Sequence, residues 1–245
     1  MQKAGMKPPA MDPPDLKEYG AEKDGVRQTS ERRMFFQLQV FTECLDTDAL
    51  IKPLADSGRE FVLYKDVNDP RGVALLSMEE DPGMFAGPIR EILTKSPFAE
   101  LKPQKEMTMM GRTYSLGREP NLEDWMLKKP RRNALNRAYP WAVWYPLRRK
   151  PEFALLSREE HGKVLMEHAM IGRSYGEAGY VQDIRLACHG LDKNDNEFVI
   201  GLLSSELFPL SKIVQDMRKT QQTSKYIQSL GPFFVGQVVW QSEMK

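Results

Sequence analysis

Apolar and polar positions partly alternate along Phe35-Phe36-Gln37-Leu38-Gln39-Val40-Phe41, the period of a strand with one buried face. Residues 46–55 suit a short helix with Asp46 or Thr47 as N-cap. Residues 60–65 and 72–78 read as strands joined by the turn-rich Asn68-Asp69-Pro70-Arg71. Asp81-Pro82 is expected to open a helix running to about Lys95, because Asp caps and Pro is tolerated at the first helical position. A further strand is expected near residues 108–114. The order is β-α-β-β-α-β.

The second half repeats that order. Residues 138–146 are strand-like and aromatic. Residues 157–175 are helical, with Ser157 and Glu160 spaced as a capping box. Residues 181–188 and 198–203 read as strands around a turn at 190–196. Residues 206–219 read as a helix and 233–240 as a last strand. Two β-α-β-β-α-β units in tandem predict an α+β fold of two ferredoxin-like units, whose antiparallel sheets pack together or close into a barrel with helices outside. The predicted division is an extended arm over residues 1–33, an N-terminal unit with its linker over 34–137, and a C-terminal unit over 138–245. The arm holds four prolines in its first fourteen residues and almost no apolar periodicity, so it is expected to be mobile or laid over a neighbouring surface.

Composition narrows the functional classes. The chain has 245 residues, 35 Lys+Arg against 34 Asp+Glu, and 41% hydrophobic residues. That balance provides no global field for nucleic acid or an anionic membrane. The longest apolar runs fall far short of the roughly 20 residues a membrane span needs. No apolar signal segment is visible at the N-terminus, and Cys44 and Cys188 make neither a disulfide framework nor a CxxC pair. These features predict a cytoplasmic globular protein.

Candidate chemistry concentrates in residues 126–150. This stretch has eight basic residues, no acidic one, and the aromatics Tyr139, Trp141, Trp144 and Tyr145 between the basic clusters. It reads either as a solvated loop beside a core strand or as a pocket for a flat polyanionic ligand. Of the three histidines, His161 sits among charges and His189 adjoins the Gly190 turn. His168 shares a helical stripe with Leu165, Ile171 and Tyr175. From spacing alone it is more simply a core histidine. As a ligand it has no sequence-local partners, which disfavours zinc and favours iron held by a porphyrin plus one imidazole. Cys188 and His189 are adjacent on a strand and point to opposite faces, against a thiol–imidazole pair. The fourteen methionines read as core filler.

Several segments together resemble the chlorite dismutase family, and within it the coproheme decarboxylases. They are Trp144-Tyr-Pro-Leu-Arg-Arg-Lys150, Leu165-Met-Glu-His-Ala-Met-Ile-Gly-Arg-Ser-Tyr175, Gly190-Leu-Asp192, Asp216-Met-Arg218, Ser224-Lys-Tyr226 and Gly231-Pro-Phe-Phe-Val-Gly236. The resemblance covers about residues 131–240. It implies a dimeric-type α+β barrel, haem in the C-terminal unit, and rings, often pentamers. It also implies a haem b or iron coproporphyrin cofactor, with His168 as iron ligand and Tyr145 as the radical-forming tyrosine. Arg131 and Arg149 would contact propionates, Arg149 standing where the family has lysine. Leu147 replaces a pocket methionine.

On the far side of the iron the resemblance puts Asp183, with Arg185 two residues on and on the same strand face. A lone ionised Asp183 would repel chlorite, since like charges roughly 4 Å apart cost about 4 kcal/mol at an effective dielectric of 20. Neutral hydrogen peroxide suffers no such penalty, and the carboxylate would serve as its base. The implied activity is peroxide-dependent decarboxylation of iron coproporphyrin to haem b. A non-catalytic haem-binding or transfer protein stays open, and so does a chlorite dismutase or peroxidase if Arg185 faces the iron.

Overall fold

In the computed structural model, which describes residues 12–245, the first elements are β1 (Glu18–Lys23) and β2 (Val26–Ser30), paired as a hairpin. Asp24 and Gly25 both have positive φ, 53° and 78°, the backbone of a two-residue turn that matches strand twist. The arm is therefore a hairpin where an extended segment was expected, and its first eleven residues lie outside the described ones. It is laid over residues 112–122. Glu18 accepts from the Arg112 guanidinium and the Ser115 amide, and Gln28 Nε2 donates to the carbonyls of Glu119 and Pro120.

The N-terminal half then runs β3 (Phe35–Thr42), α1 (Thr47–Asp56), β4 (Phe61–Asp66), β5 (Val73–Glu79), α2 (Gly83–Ala86), α3 (Pro88–Leu93), β6 (Lys102–Pro103) and β7 (Met109–Arg112). Asp46 caps α1 by accepting from the Asp48 and Ala49 amides. The helix expected over 81–95 is broken into α2 and α3. Gly87, a poor helix former, stands at the break, and Pro88 opens α3 at its first position.

The linker at the end of the N-terminal unit carries a π-helical turn (Asp124–Lys128) running into α4 (Lys129–Ala134). The C-terminal half is β8 (Trp141–Arg149), α5 (Arg158–Glu177), β9 (Gln182–Ala187), β10 (Phe198–Ser204), α6 (Leu207–Met217), β11 (Ile227–Leu230) and β12 (Phe234–Gln241). The capping box at Ser157 and Glu160 starts α5, as expected.

Each half has an antiparallel sheet. Their edges meet through β12 with β4, and through a single pair, Arg112 with Ala187, between β7 and β9. Because β8 pairs with both β12 and β10, the pairings run in a closed circuit of strands; α1, α3, α5 and α6 lie outside it, while the π-helical turn and α4 add Met126, Leu127 and Ala134 to the inner cluster. Strand alternation then sorts the core into three. Phe36, Leu38, Val40, Tyr64, Trp144, Ile184, Leu186 and Phe234 fill the space within the circuit. Phe41, Leu50, Leu54, Leu63, Leu75 and Ile89 lie under α1 and α3. Val143, Tyr145, Leu147, Leu202, Leu210 and Ile213 lie under the C-terminal helices. Trp144 faces Gly201 across β8 and β10, and a Cβ at Gly201 would come within 2.5 Å of the indole, so only glycine admits that ring.

Candidate functional site

The site follows from the register of three strands beneath α5. Trp144, Val199, Ile184 and Leu186 point into the circuit. Their neighbours along each strand therefore point the other way, toward the helix. Pairing aligns these outer residues in rows: Val143, Leu202 and Asp183; Tyr145, Ile200 and Arg185; Leu147, Phe198 and Ala187. Adjacent strands lie about 4.8 Å apart, so Tyr145 and Arg185 are separated by roughly 10 Å across one face.

Tyr145 is 9% exposed, and its ring stacks on Phe233 with centroids 4.6 Å apart. Burial, and then the Asp183 carboxylate, push the phenol's pKa well above its ordinary value. Leu147 is buried beside it. Arg149, at the end of the same strand face, is bonded to Glu197 (Nε to Oε2, 2.9 Å) and held between the rings of Phe153 and Phe198. Asp183 and Arg185 are paired with each other, Oδ2 to Nε, at 2.9 Å.

His168 is half-buried on α5. Burial, and then the Arg185 charge, lower its pKa and keep the imidazole neutral. Its Nδ1 lies 3.4 Å from Thr220 Oγ1. That hydroxyl already donates to the Met217 carbonyl at 2.8 Å, so toward His168 it accepts. In the tautomer with its proton on Nδ1 the ring would leave the Nε2 lone pair available to a metal.

Arg131 is not brought to this face. On α4, Pro130 and Asn133 face β9, Asn133 donating to the Asp183 carbonyl. One residue's turn of the helix aims Arg131 at Glu60, which it grips in a two-point ion pair, and at the Lys245 carbonyl. The basic run at 126–150 likewise forms no single patch. Lys128 pairs with Glu123, Arg132 with Asp124, and Arg137 with Glu243. Cys188 is buried within the circuit, its thiol pushed up to about 12 by burial, while His189 packs edge-on against Phe198.

Two side chains missed in the sequence complete the wall. Tyr114 packs 5.5 Å from Phe198, and its carbonyl accepts the Trp125 indole N–H at 2.9 Å. The Trp125 ring carries Lys129 Nζ at 4.7 Å and the Arg185 guanidinium at 5.2 Å. Together with Thr113, Asp183 and Arg185 they bound a niche of about 20 Å³, room for one water-sized molecule. The aromatic–cation pair Trp125/Lys129, at i and i+4 in the link, is the signal that would have found them.

A porphyrin needs an apolar floor, one axial imidazole and cations at its rim; this face carries apolar rows and His168, and its cations Arg149 and Arg185 are paired with Glu197 and Asp183. Among the twenty residues of α5 only Val164 is fully buried. His168, Ile171 and Tyr175 stay half-covered opposite Val143, Ile200 and Leu202, surface that a flat group between helix and sheet would take out of water. Among the described residues no cluster of three or more His, Cys, Asp or Glu could hold a bare metal ion, and no helix is long and apolar enough to cross a membrane.

The family model for chlorite dismutase matches residues 98–239, more than half of the chain. The chain belongs to the chlorite dismutase family. This family includes coproheme decarboxylase and haem-binding proteins. Coproheme decarboxylase of Oceanobacillus iheyensis is 34% identical over 107 residues, a stretch spanning 42% of this chain and 41% of that protein. The fold is shared with a haem-binding protein of Thermus thermophilus (TM-score 0.65, 19% identity, 84% of this chain and 91% of that one). It is shared also with chlorite dismutase of Candidatus Nitrospira defluvii (TM-score 0.63, 12% identity, 85% and 92%).

Proposed function

We propose that this member of the chlorite dismutase family is a haem-dependent oxidoreductase that uses hydrogen peroxide to convert iron coproporphyrin to haem b. The observation that carries the reading is Tyr145, a buried phenol on the face opposite His168, with a raised pKa that keeps its proton in place. The partial match to a coproheme decarboxylase supports the same reading.

Bound through His168, iron porphyrin supplies the oxidising chemistry that peroxide drives. The chain's residues do the rest. Neutral His168 offers Nε2 to the iron. Val143, Ile200, Leu202 and Phe233 exclude water from the porphyrin face. Asp183, beside the water-sized niche, takes a proton from peroxide and returns it. Tyr145 gives up an electron and its proton together, then takes a hydrogen atom from a propionate side chain. Each propionate loses carbon dioxide and two electrons to become a vinyl group, and one peroxide accepts those electrons as water forms. Arg149, fixed by Glu197 and two aromatic rings, gives a propionate a rigid cationic contact that sets which one meets Tyr145.

The test is Tyr145→Phe. It keeps porphyrin binding and loses decarboxylation; full activity in that variant overturns the assignment. A second reading, chlorite dismutase or peroxidase, draws on Arg185, a cation on the same strand face. Oxygen release from chlorite that disappears in Arg185→Ala would favour it.

A further inference from the structure

We infer that Thr220 is a positioning residue for His168: its hydroxyl fixes the imidazole as the Nδ1–H tautomer and does so as a neutral partner. The inference rests on the reading of His168 as the iron ligand and concerns what stands behind that ligand.

Thr220 is 1% exposed and sits just past α6, its hydroxyl within reach of the Met217 carbonyl at 2.8 Å and of the Thr223 hydroxyl at 3.4 Å, the shorter contact being the better acceptor for its proton. It donates to the Met217 carbonyl at 2.8 Å and accepts from the Thr223 amide and from His168 Nδ1, each at 3.4 Å. The Thr223 amide, in the π-helical turn (Gln222–Tyr226) that follows, donates to this hydroxyl, so local backbone on both sides helps hold it in place. No carboxylate takes its role. Glu167, next to His168 in the chain, accepts from the Gln221 amide at 2.9 Å, and Asp183 stands on the strand face with Oδ2 on Arg185.

A ligating histidine is tuned by the acceptor on its other nitrogen. A carboxylate draws the Nδ1 proton and makes the ring a stronger donor, whereas a hydroxyl leaves it an ordinary neutral imidazole. The chain thus supplies a fixed ring orientation without anionic character. The expected consequence is a more positive iron reduction potential than a carboxylate partner would give, which favours transfer of oxidising equivalents away from the iron.

A groove of about 270 Å³ between α5 and α6 opens beside Thr220, so a cavity at this position would admit water as a substitute acceptor. The test therefore uses Thr220→Val, which keeps the volume, with Thr220→Ser as rescue. In the apoprotein, nitrogen-15 NMR of His168 should show the Nδ1–H tautomer in wild type and Ser, and a shift toward Nε2–H in Val. On titration with haem, Val should bind roughly 10–100-fold more weakly, and Ser should recover. Thr220→Asp keeps an acceptor oxygen at this position and adds a carboxylate, so it should lower the iron reduction potential and raise the iron–imidazole stretching frequency. Unchanged tautomers in Val overturn the proposal, as does an unchanged potential in Asp should Val not fold. If wild type binds no porphyrin while the tautomer pattern holds, the assignment of His168 as iron ligand fails and the role of Thr220 stands.

Discussion

Asp183 and Arg185 neutralise each other across a 2.9 Å ion pair on the strand face that also carries, two strands further, Tyr145. A lone carboxylate there would repel anionic oxidants by about 4 kcal/mol at 4 Å. The pair cancels most of that field, and Trp125 holds the guanidinium from its other side. Removing either partner should therefore unmask the other. In the haem-loaded protein, Asp183→Asn should raise azide affinity about tenfold and Arg185→Ala should lower it by a similar factor, since one charge near the site changes by one unit. Equal affinities in the two variants would show that the pair does not face the ligand.

The N-terminal hairpin straps the segment that carries Tyr114. Glu18 holds Arg112 and Ser115, on either side of Thr113 and Tyr114, while Gln28 holds Glu119, Pro120 and Leu122. Glu18→Ala should cost about 1 kcal/mol, the discounted worth of a half-exposed charged contact. Amide hydrogen exchange across residues 113–125 should accelerate while that of β10 stays unchanged. No local acceleration would mean that the wall stands without the strap.

His168 gives the apoprotein a pH dependence of defined sign. Its folded pKa lies below the ordinary histidine value of about 6.5, chiefly through burial. As pH falls through that value the unfolded chain takes up a proton that the folded chain refuses, so stability declines until the folded pKa is passed. The denaturation midpoint should fall between pH 7.5 and 5.5, and His168→Gln should flatten the profile. Carboxylates held low by hydrogen bonds, such as Asp216, titrate further down and do not enter this window.

Local pattern made much of the fold legible. The alternation at 35–41, the cap at Asp46 and the capping box at Ser157 each act within a few residues, and each produced its element where expected. The Asp24-Gly25 turn and the Gly87-Pro88 break are equally local, but charge and proline content mask the first and the strong N-cap at Asp81-Pro82 masks the second. The site divided along a different line. Helical period put His168 on an apolar stripe, whereas Tyr145 was singled out only by the family resemblance. The partners that change their chemistry come from far along the chain. Thr220 is 52 residues from His168, Glu60 is 71 residues from the Arg131 it draws away, and Tyr114 reaches the site only because β7 docks on β9. Such contacts follow from sheet register, which depends on loops whose lengths carry no periodic signal.

The central claim is tested most directly by anaerobic titration of the apoprotein with iron coproporphyrin, followed by peroxide and mass analysis of the porphyrin. Saturable binding followed by two successive porphyrin mass losses, each equal to one carbon dioxide plus two hydrogen atoms, is the predicted result. Tight binding with an unchanged porphyrin mass would contradict it and make the protein a carrier.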